Sequence, residues 1–98
     1  MSDVVLINAF EVDPADEAAA LAYWERAADH LRKQPGFVET RLHRAVVPGA
    51  RFSLVNVATW RSVEDFRAAT ADPAFRALVG PEMDRFPHHP GLYEVIRT

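Results

Sequence analysis

Two asparagines and a tryptophan stand in strand-like segments whose other residues are mostly apolar. Residues 54–60 read LVNVATW, and because side chains alternate along a strand, Asn56 and Trp60 share one of its faces. Asn8 stands in the same way within the N-terminal segment VVLINAF. An unpaired buried amide costs about 1–3 kcal/mol, so an amide on a buried face needs a hydrogen-bonding partner.

These side chains could form a binding site. An amide offers a donor and an acceptor, and an indole offers one donor beside a flat apolar ring. Two amides and an indole that converge on an apolar space have the composition of a small-molecule site, suited to a planar aromatic compound with phenol or ketone oxygens. In the alternative interpretation, each amide satisfies local backbone groups or a buried water, and Trp60 is simply part of the core.

Other residues with possible proton or charge chemistry cluster near the C-terminus. His88 and His89 fall in FPHHPGLYEV, and one of them could reach the mouth of a pocket as an acid or base; the alternative is a solvated loop. Arg76 precedes the segment 82–91 and Arg85 lies within it; either could neutralise a developing phenolate, although structural salt bridging is the default interpretation for both. Cysteine is absent and no HxH or HExxH spacing occurs, so the sequence predicts no protein metal site.

The elements that must position these residues follow from turn and capping signals. Asp-Pro and Ser-x-x-Asp signals start the helices, and Pro-Gly pairs end segments. The predicted elements are a strand at Val4–Val12, a helix from Asp13 to about Lys33, strands at about Phe37–Val46 and Arg51–Trp60, a helix after Ser62, a short helix after Asp72, an irregular stretch at 82–91 and a strand at Leu92–Arg97.

The order βαββαβ predicts a ferredoxin-like α+β fold, in which a four-stranded antiparallel sheet carries the helices on one face. Right-handed crossovers place the first and third strands together in the middle, so Asn8 and Asn56 become neighbours. The helix-covered face would be lined by large apolar side chains, for which the sequence offers Phe10, Trp24, Phe66 and Phe75.

Composition limits the remaining possibilities. Residues 1–98 are expected to form one domain, and a net charge of −3 without a basic stripe argues against a nucleic-acid partner. No stretch approaches the length of a membrane span and no targeting signal is recognised, so a cytoplasmic setting is expected. The uncovered sheet face predicts a homodimer, since it would expose apolar residues: Val5, Ile7, Ala9, Val55 and Val57.

The sequence as a whole resembles the antibiotic-biosynthesis monooxygenase superfamily of dimeric α+β barrel proteins. The resemblance covers LINAFEVDPADEAAALAYW, LRKQPGFVETRLHR and RFSLVNVATWRSVEDFRAATADPAFRAL, with QPGF and VATWRSVEDF the most specific phrases. It implies the dimeric barrel fold. The superfamily includes quinone-forming oxygenases, haem-degrading enzymes, isomerases and proteins without known activity.

One branch, the cofactor-free anthrone oxygenases, has an asparagine on the first strand and Asn-x-x-x-Trp on the third. Asn8, Asn56 and Trp60 match these positions. The branch has a tyrosine where this chain has Phe66, and an arginine after it without a clear counterpart here. The match implies catalytic roles for the three residues, an aromatic substrate, dioxygen and no cofactor. Substrate binding is assigned to Phe10, Trp24, Phe66, Phe75, Arg85 and His88, with residues 82–91 as a lid.

Two alternatives remain open at the level of sequence. The haem-degrading branch needs an axial histidine late in the second helix and a tryptophan ten residues earlier, where this chain has Val79 and Ala69. Haem binding would then depend on His88 or His89. The other alternative is a non-catalytic dimeric protein that binds a small molecule, which a pocket filled by its own aromatic side chains would favour.

Overall fold

The computed structural model describes residues 3–98, which form a four-stranded antiparallel sheet and three α-helices. The elements are β1 (Val4–Phe10), α1 (Glu17–Leu31), β2 (Phe37–Arg44), β3 (Leu54–Trp60), α2 (Val63–Ala71), α3 (Pro73–Val79) and β4 (His88–Tyr93). Short 3-10 turns at Pro14–Asp16 and Gly80–Glu82 precede α1 and follow α3. The predicted ferredoxin-like α+β fold is confirmed.

The strands are ordered β2-β3-β1-β4, so β1 and β3 are central and β2 and β4 are the edges. Asn8 lies directly opposite Asn56 in the antiparallel β1–β3 pair, which puts both amides on the same face. That face carries the core, because Phe10 and Leu54 pack with α1 and α3, and Trp60 packs with α2.

Side-chain caps start the second and third helices where the sequence predicts them. The Ser62 hydroxyl accepts from the backbone N–H of Asp65 at 3.0 Å, and the Asp72 carboxylate accepts from that of Ala74 at 3.0 Å. Such caps satisfy backbone donors that have no partner in the first turn of a helix. Asp13, the predicted cap of the first helix, makes no such bond and precedes the 3-10 turn instead.

Gly36 joins the end of α1 to β2 in a way that only glycine permits. Its φ is +85°, and a Cβ atom built there would lie 2.4 Å from the Cβ atom of Asp65. The carbonyl of Gly36 accepts from the backbone N–H of Arg61 at 2.8 Å. The turn therefore brings the start of α2 close against the start of β2.

The bounds of the last strand differ from those predicted from the sequence. β4 begins at His88 and ends at Tyr93, whereas an irregular segment to residue 91 and a strand at Leu92–Arg97 were predicted. The Pro-rich sequence suggested a loop, but β4 is an edge strand, where a proline that lacks an N–H is tolerated. Strands β2 and β3 are also two to three residues shorter at the hairpin than predicted.

The buried face of α1 also differs from the predicted stripe of Leu21, Trp24, Ala28 and Leu31. The fully buried residues are Ala20, Tyr23 and Ala28, and the other three predicted positions are only half-buried. Trp24 and Leu31 border a cavity rather than solid core, which explains their partial exposure. No helix within residues 3–98 is long and apolar enough to cross a membrane.

Candidate active site

A cavity of about 600 Å³ lies between the inner face of the sheet and the helices. All three predicted catalytic residues, Asn8, Asn56 and Trp60, line it. So do five of the six residues predicted to bind substrate: Phe10, Trp24, Phe66, Phe75 and His88. The volume falls within the range of sites for small organic ligands, and the lining is mostly apolar with a few polar groups.

Asn56 has a fixed hydrogen-bond partner in the edge strand. It is 8% exposed, and its Oδ1 atom accepts from the Thr40 hydroxyl at 2.6 Å. Thr40 also lines the cavity. The amide oxygen of Asn56 is therefore satisfied within the protein, which leaves its N–H groups as the donors available to a ligand.

Asn8 is different, although it lies directly opposite Asn56. Its Oδ1 atom is buried and has no hydrogen-bond partner in the part of the chain that the structure describes. The oxygen of Asn8 therefore lacks the tether that holds the Asn56 amide, and an orphaned acceptor of this kind destabilises the fold.

Trp60 is held by aromatic contacts. It is 1% exposed and makes edge-to-face contacts with Phe37 at 5.5 Å and with Phe66 at 5.6 Å between ring centroids. Edge-to-face pairs of this kind favour a single ring orientation. Phe66, which replaces the tyrosine of the anthrone oxygenases, thus contributes packing against Trp60 and no hydroxyl.

The two adjacent histidines lie on opposite faces of β4. His88 faces the cavity; its ring lies 5.9 Å from that of Phe10, and its Nδ1 atom is 3.1 Å from the carbonyl oxygen of Phe86. A carbonyl only accepts, so Nδ1 carries the proton in this bond and Nε2 is the free nitrogen. His89 instead contacts Glu11 at 2.7 Å on the surface. Both histidines belong to a strand, so the predicted lid over residues 82–91 is wrong for its last four residues.

Arg85 is the predicted binding residue that lies elsewhere. It is exposed, its guanidinium lies 5.1 Å above the Phe86 ring and 3.6 Å from Asp16, and it does not line the cavity. The segment after α3 turns its side chain to the surface. Arg67 and Arg76, on α2 and α3, are the arginines that line the cavity.

Tyr23 is a cavity residue that the sequence prediction missed. It is 8% exposed and packs against Phe86 at 5.7 Å. Burial and the nearby Glu82 carboxylate raise the pKa of its phenol, while Arg26 opposes them. The phenol therefore stays neutral as a potential donor. Tyr23 lies three and four residues from Ala20 and Ala27, which is the spacing of a buried helix face. Leu21 and Trp24 have the same helical spacing, so the sequence did not distinguish the two faces.

The positions at which haem-degrading relatives have their ligand and tryptophan are both part of the core here. Val79 is 1% exposed and Ala69 is 4% exposed, and neither lines the cavity. Among residues 3–98 no group of three or more His, Asp or Glu side chains is arranged to hold a metal ion. Val79 and Ala69 therefore supply neither the axial ligand nor the tryptophan of the haem-degrading branch.

The sheet with its helices on one face defines a ferredoxin-like α+β protein with a cavity between the two layers. The chain belongs to the antibiotic biosynthesis monooxygenase family, whose sequence model matches residues 3–80. A search of curated proteins gave no significant match.

Solved structures agree with this assignment. A protein from Shewanella loihica PV-4, provisionally described as a monooxygenase, is 39% identical, with a TM-score of 0.87 over 99% of this chain and 97% of the other. SnoaB, a cofactor-independent oxygenase from Streptomyces nogalater, is 27% identical, with a TM-score of 0.78 over 100% and 97%. A SnoaB variant with one asparagine replaced by alanine is 28% identical, with a TM-score of 0.84 over the same shares. Together with the family, these likenesses support an oxidoreductase of the monooxygenase type.

Proposed function

We propose that this protein is a cofactor-independent monooxygenase that oxidises a polycyclic aromatic substrate of the anthrone or hydroquinone class to a quinone with dioxygen. The observation that carries the proposal is the aromatic-lined cavity of about 600 Å³ that Asn56 lines, with its amide oxygen already bonded to Thr40. The likeness to SnoaB, a cofactor-independent oxygenase, supports the same reaction type.

The substrate supplies the electrons in this mechanism. Dioxygen is a triplet and reacts slowly with closed-shell molecules, which is why many oxygenases use a flavin or a metal. A deprotonated anthrone is an electron-rich, delocalised carbanion that can reduce dioxygen itself. Its methylene carbon loses two hydrogens and gains a carbonyl oxygen, and the second oxygen atom leaves as water. The protein must bind the ring, stabilise the anion and exclude water.

The cavity residues have distinct roles in this proposal. Asn56 and Trp60 donate to substrate oxygens and stabilise the enolate and the peroxy intermediate, as donors do in an oxyanion hole. Asn8 holds the opposite end of the ring system. His88 accepts the methylene proton at Nε2, because its Nδ1–H is engaged by the Phe86 carbonyl. Removing one such donor typically costs about 2.7–4 kcal/mol of transition-state stabilisation.

The test is oxygen uptake by purified protein that has been freed of flavin, haem and metal, with a tricyclic anthrone as substrate. Asn56→Ala and Trp60→Phe are each expected to lower kcat at least about tenfold. Arg61→Ala is the control, because Arg61 is exposed, follows Trp60 directly and does not line the cavity. A wild-type rate equal to that of buffer with several polycyclic anthrones would reject the proposal.

The proposal includes a homodimer formed through the uncovered face of the sheet. Ile7 is 38% exposed on this face, and Val5, Val55 and Val57 beside it are half-buried although no helix covers them. On β2 the same face carries Glu39, Arg41 and His43 along one side of the apolar centre. An apolar centre with a charged rim is the usual composition of a protein interface.

A further inference from the structure

The Asn56 carboxamide can occupy its site in two orientations, which exchange the oxygen and the nitrogen. A threonine hydroxyl can donate to the oxygen or accept from the nitrogen, so its presence alone does not choose between them. The distance does. Thr40 Oγ1 lies 2.6 Å from the amide atom that faces it. This is an ordinary separation for O–H···O and is shorter than the range for N–H···O.

The position of Thr40 explains why it can impose this choice. Thr40 is opposite Ala58 in the β2–β3 pair, so it is the diagonal neighbour of Asn56 on the inner face of the sheet. Its β-branched side chain has few rotamers, so the hydroxyl has a nearly fixed location. Leu42, which lies directly opposite Asn56, has no polar group that could compete for the amide.

The geometry points to Thr40 as a positioning residue. Its hydroxyl holds the oxygen of Asn56 and so turns the N–H groups of Asn56 toward the cavity. Asn8 has no such tether, since its buried oxygen lacks a partner among the described residues. The inference rests on the proposed function, in which Asn56 is the donor to the substrate. The edge strand β2 thereby orients a polar side chain of the central strand β3.

Kinetics with a tricyclic anthrone test this inference. Thr40→Val keeps the shape of the side chain and removes the hydroxyl, so the amide reorients in a share of the molecules. We expect kcat to fall about fivefold, the value of one neutral hydrogen bond, with little change in KM. Thr40→Ser keeps the hydroxyl and should retain most of the wild-type rate. A residue that acts through Asn56 has no effect once that amide is gone, so adding Thr40→Val to Asn56→Ala should cause no further loss.

A second measurement does not depend on turnover. In NMR spectra of the ligand-free protein, Thr40→Val should strengthen the NOEs from the Asn56 Nδ2 protons to the side chain at position 40, relative to the intraresidue NOEs to the Asn56 Hβ protons. An unchanged NOE pattern overturns the inference. So does a wild-type kcat in Thr40→Val, or a double variant slower than Asn56→Ala alone. If the wild type consumes no oxygen but the NOEs change as expected, the proposed function fails while the role of Thr40 in orienting the amide stands.

Discussion

The two asparagines on the inner face of the sheet are expected to respond to the same substitution with opposite changes in stability. Asn8 has a buried amide oxygen without a partner, whereas the Asn56 oxygen accepts from Thr40. Replacing Asn8 with leucine removes an unsatisfied polar atom and adds an apolar one. Replacing Asn56 with leucine removes a hydrogen bond and leaves the Thr40 hydroxyl without its acceptor.

The size of the effect follows from the cost of an unpaired group. Asn8 is half-buried and only one of its polar atoms is orphaned, so the gain for Asn8→Leu should be about 1–2 kcal/mol, in the lower part of the usual range. The unfolding entropy of a domain of this size is about 0.2 kcal/mol/K, so this gain in stability corresponds to a Tm about 5–10 °C higher. Asn56→Leu should lower the free energy of unfolding by about 1 kcal/mol or more.

The assay is chemical and thermal unfolding followed by circular dichroism, at one protein concentration so that any self-association is held constant. The strand propensity of leucine is common to both variants, which lie opposite each other on central strands, and cancels in the difference between them. Both variants should lose oxygenase activity. If Asn8→Leu is destabilised as much as Asn56→Leu, the description of Asn8 as an orphaned acceptor is wrong.

Three further predictions concern the frame around the site. Ile7→Glu should convert the proposed dimer to a monomer in light scattering, and an unchanged mass would place the interface elsewhere. Gly36→Ala should lower the free energy of unfolding by more than Gly49→Ala, because both have positive φ but only Gly36 would meet another side chain. The hydrogen bond from His89, aided by the charge of Arg51, lowers the pKa of Glu11. The ionised Glu11 carboxylate therefore stabilises the fold at pH values above the ordinary pKa of a glutamate, and this stabilisation is lost as the pH falls through the lowered pKa. In His89→Ala, NMR titration should show that pKa rising toward 4.5; no rise would mean that the contact is unimportant in solution.

The period-two pattern of the strands could be read correctly from the sequence because it depends only on local geometry. Placing Asn56 and Trp60 on one face requires nothing beyond alternation along β3. The pairing of Asn8 with Asn56 required in addition the topology that makes β1 and β3 neighbours, which βαββαβ order and crossover handedness determine. The capping of α2 by Ser62 was local in the same sense.

What the sequence could not reveal depends on registers and on tertiary contacts. Thr40 reaches Asn56 only because β2 pairs with β3 in one register, and the polar pattern of an edge strand does not specify that register. His88 was expected in a loop because prolines flank it, and only the edge position of β4 makes a strand possible there. Arg85 could not be placed because the segment after α3 has no periodic pattern to orient it.

The hydrogen bond between Thr40 and Asn56 links the outermost strand of the sheet to the centre of the cavity. Edge strands fray at lower free energy than the strands between them. As β2 opens, the amide loses its tether while β1, β3 and the helices remain folded. If Asn56 is the donor that we propose, oxygen uptake should therefore be lost at a lower temperature than the global fold.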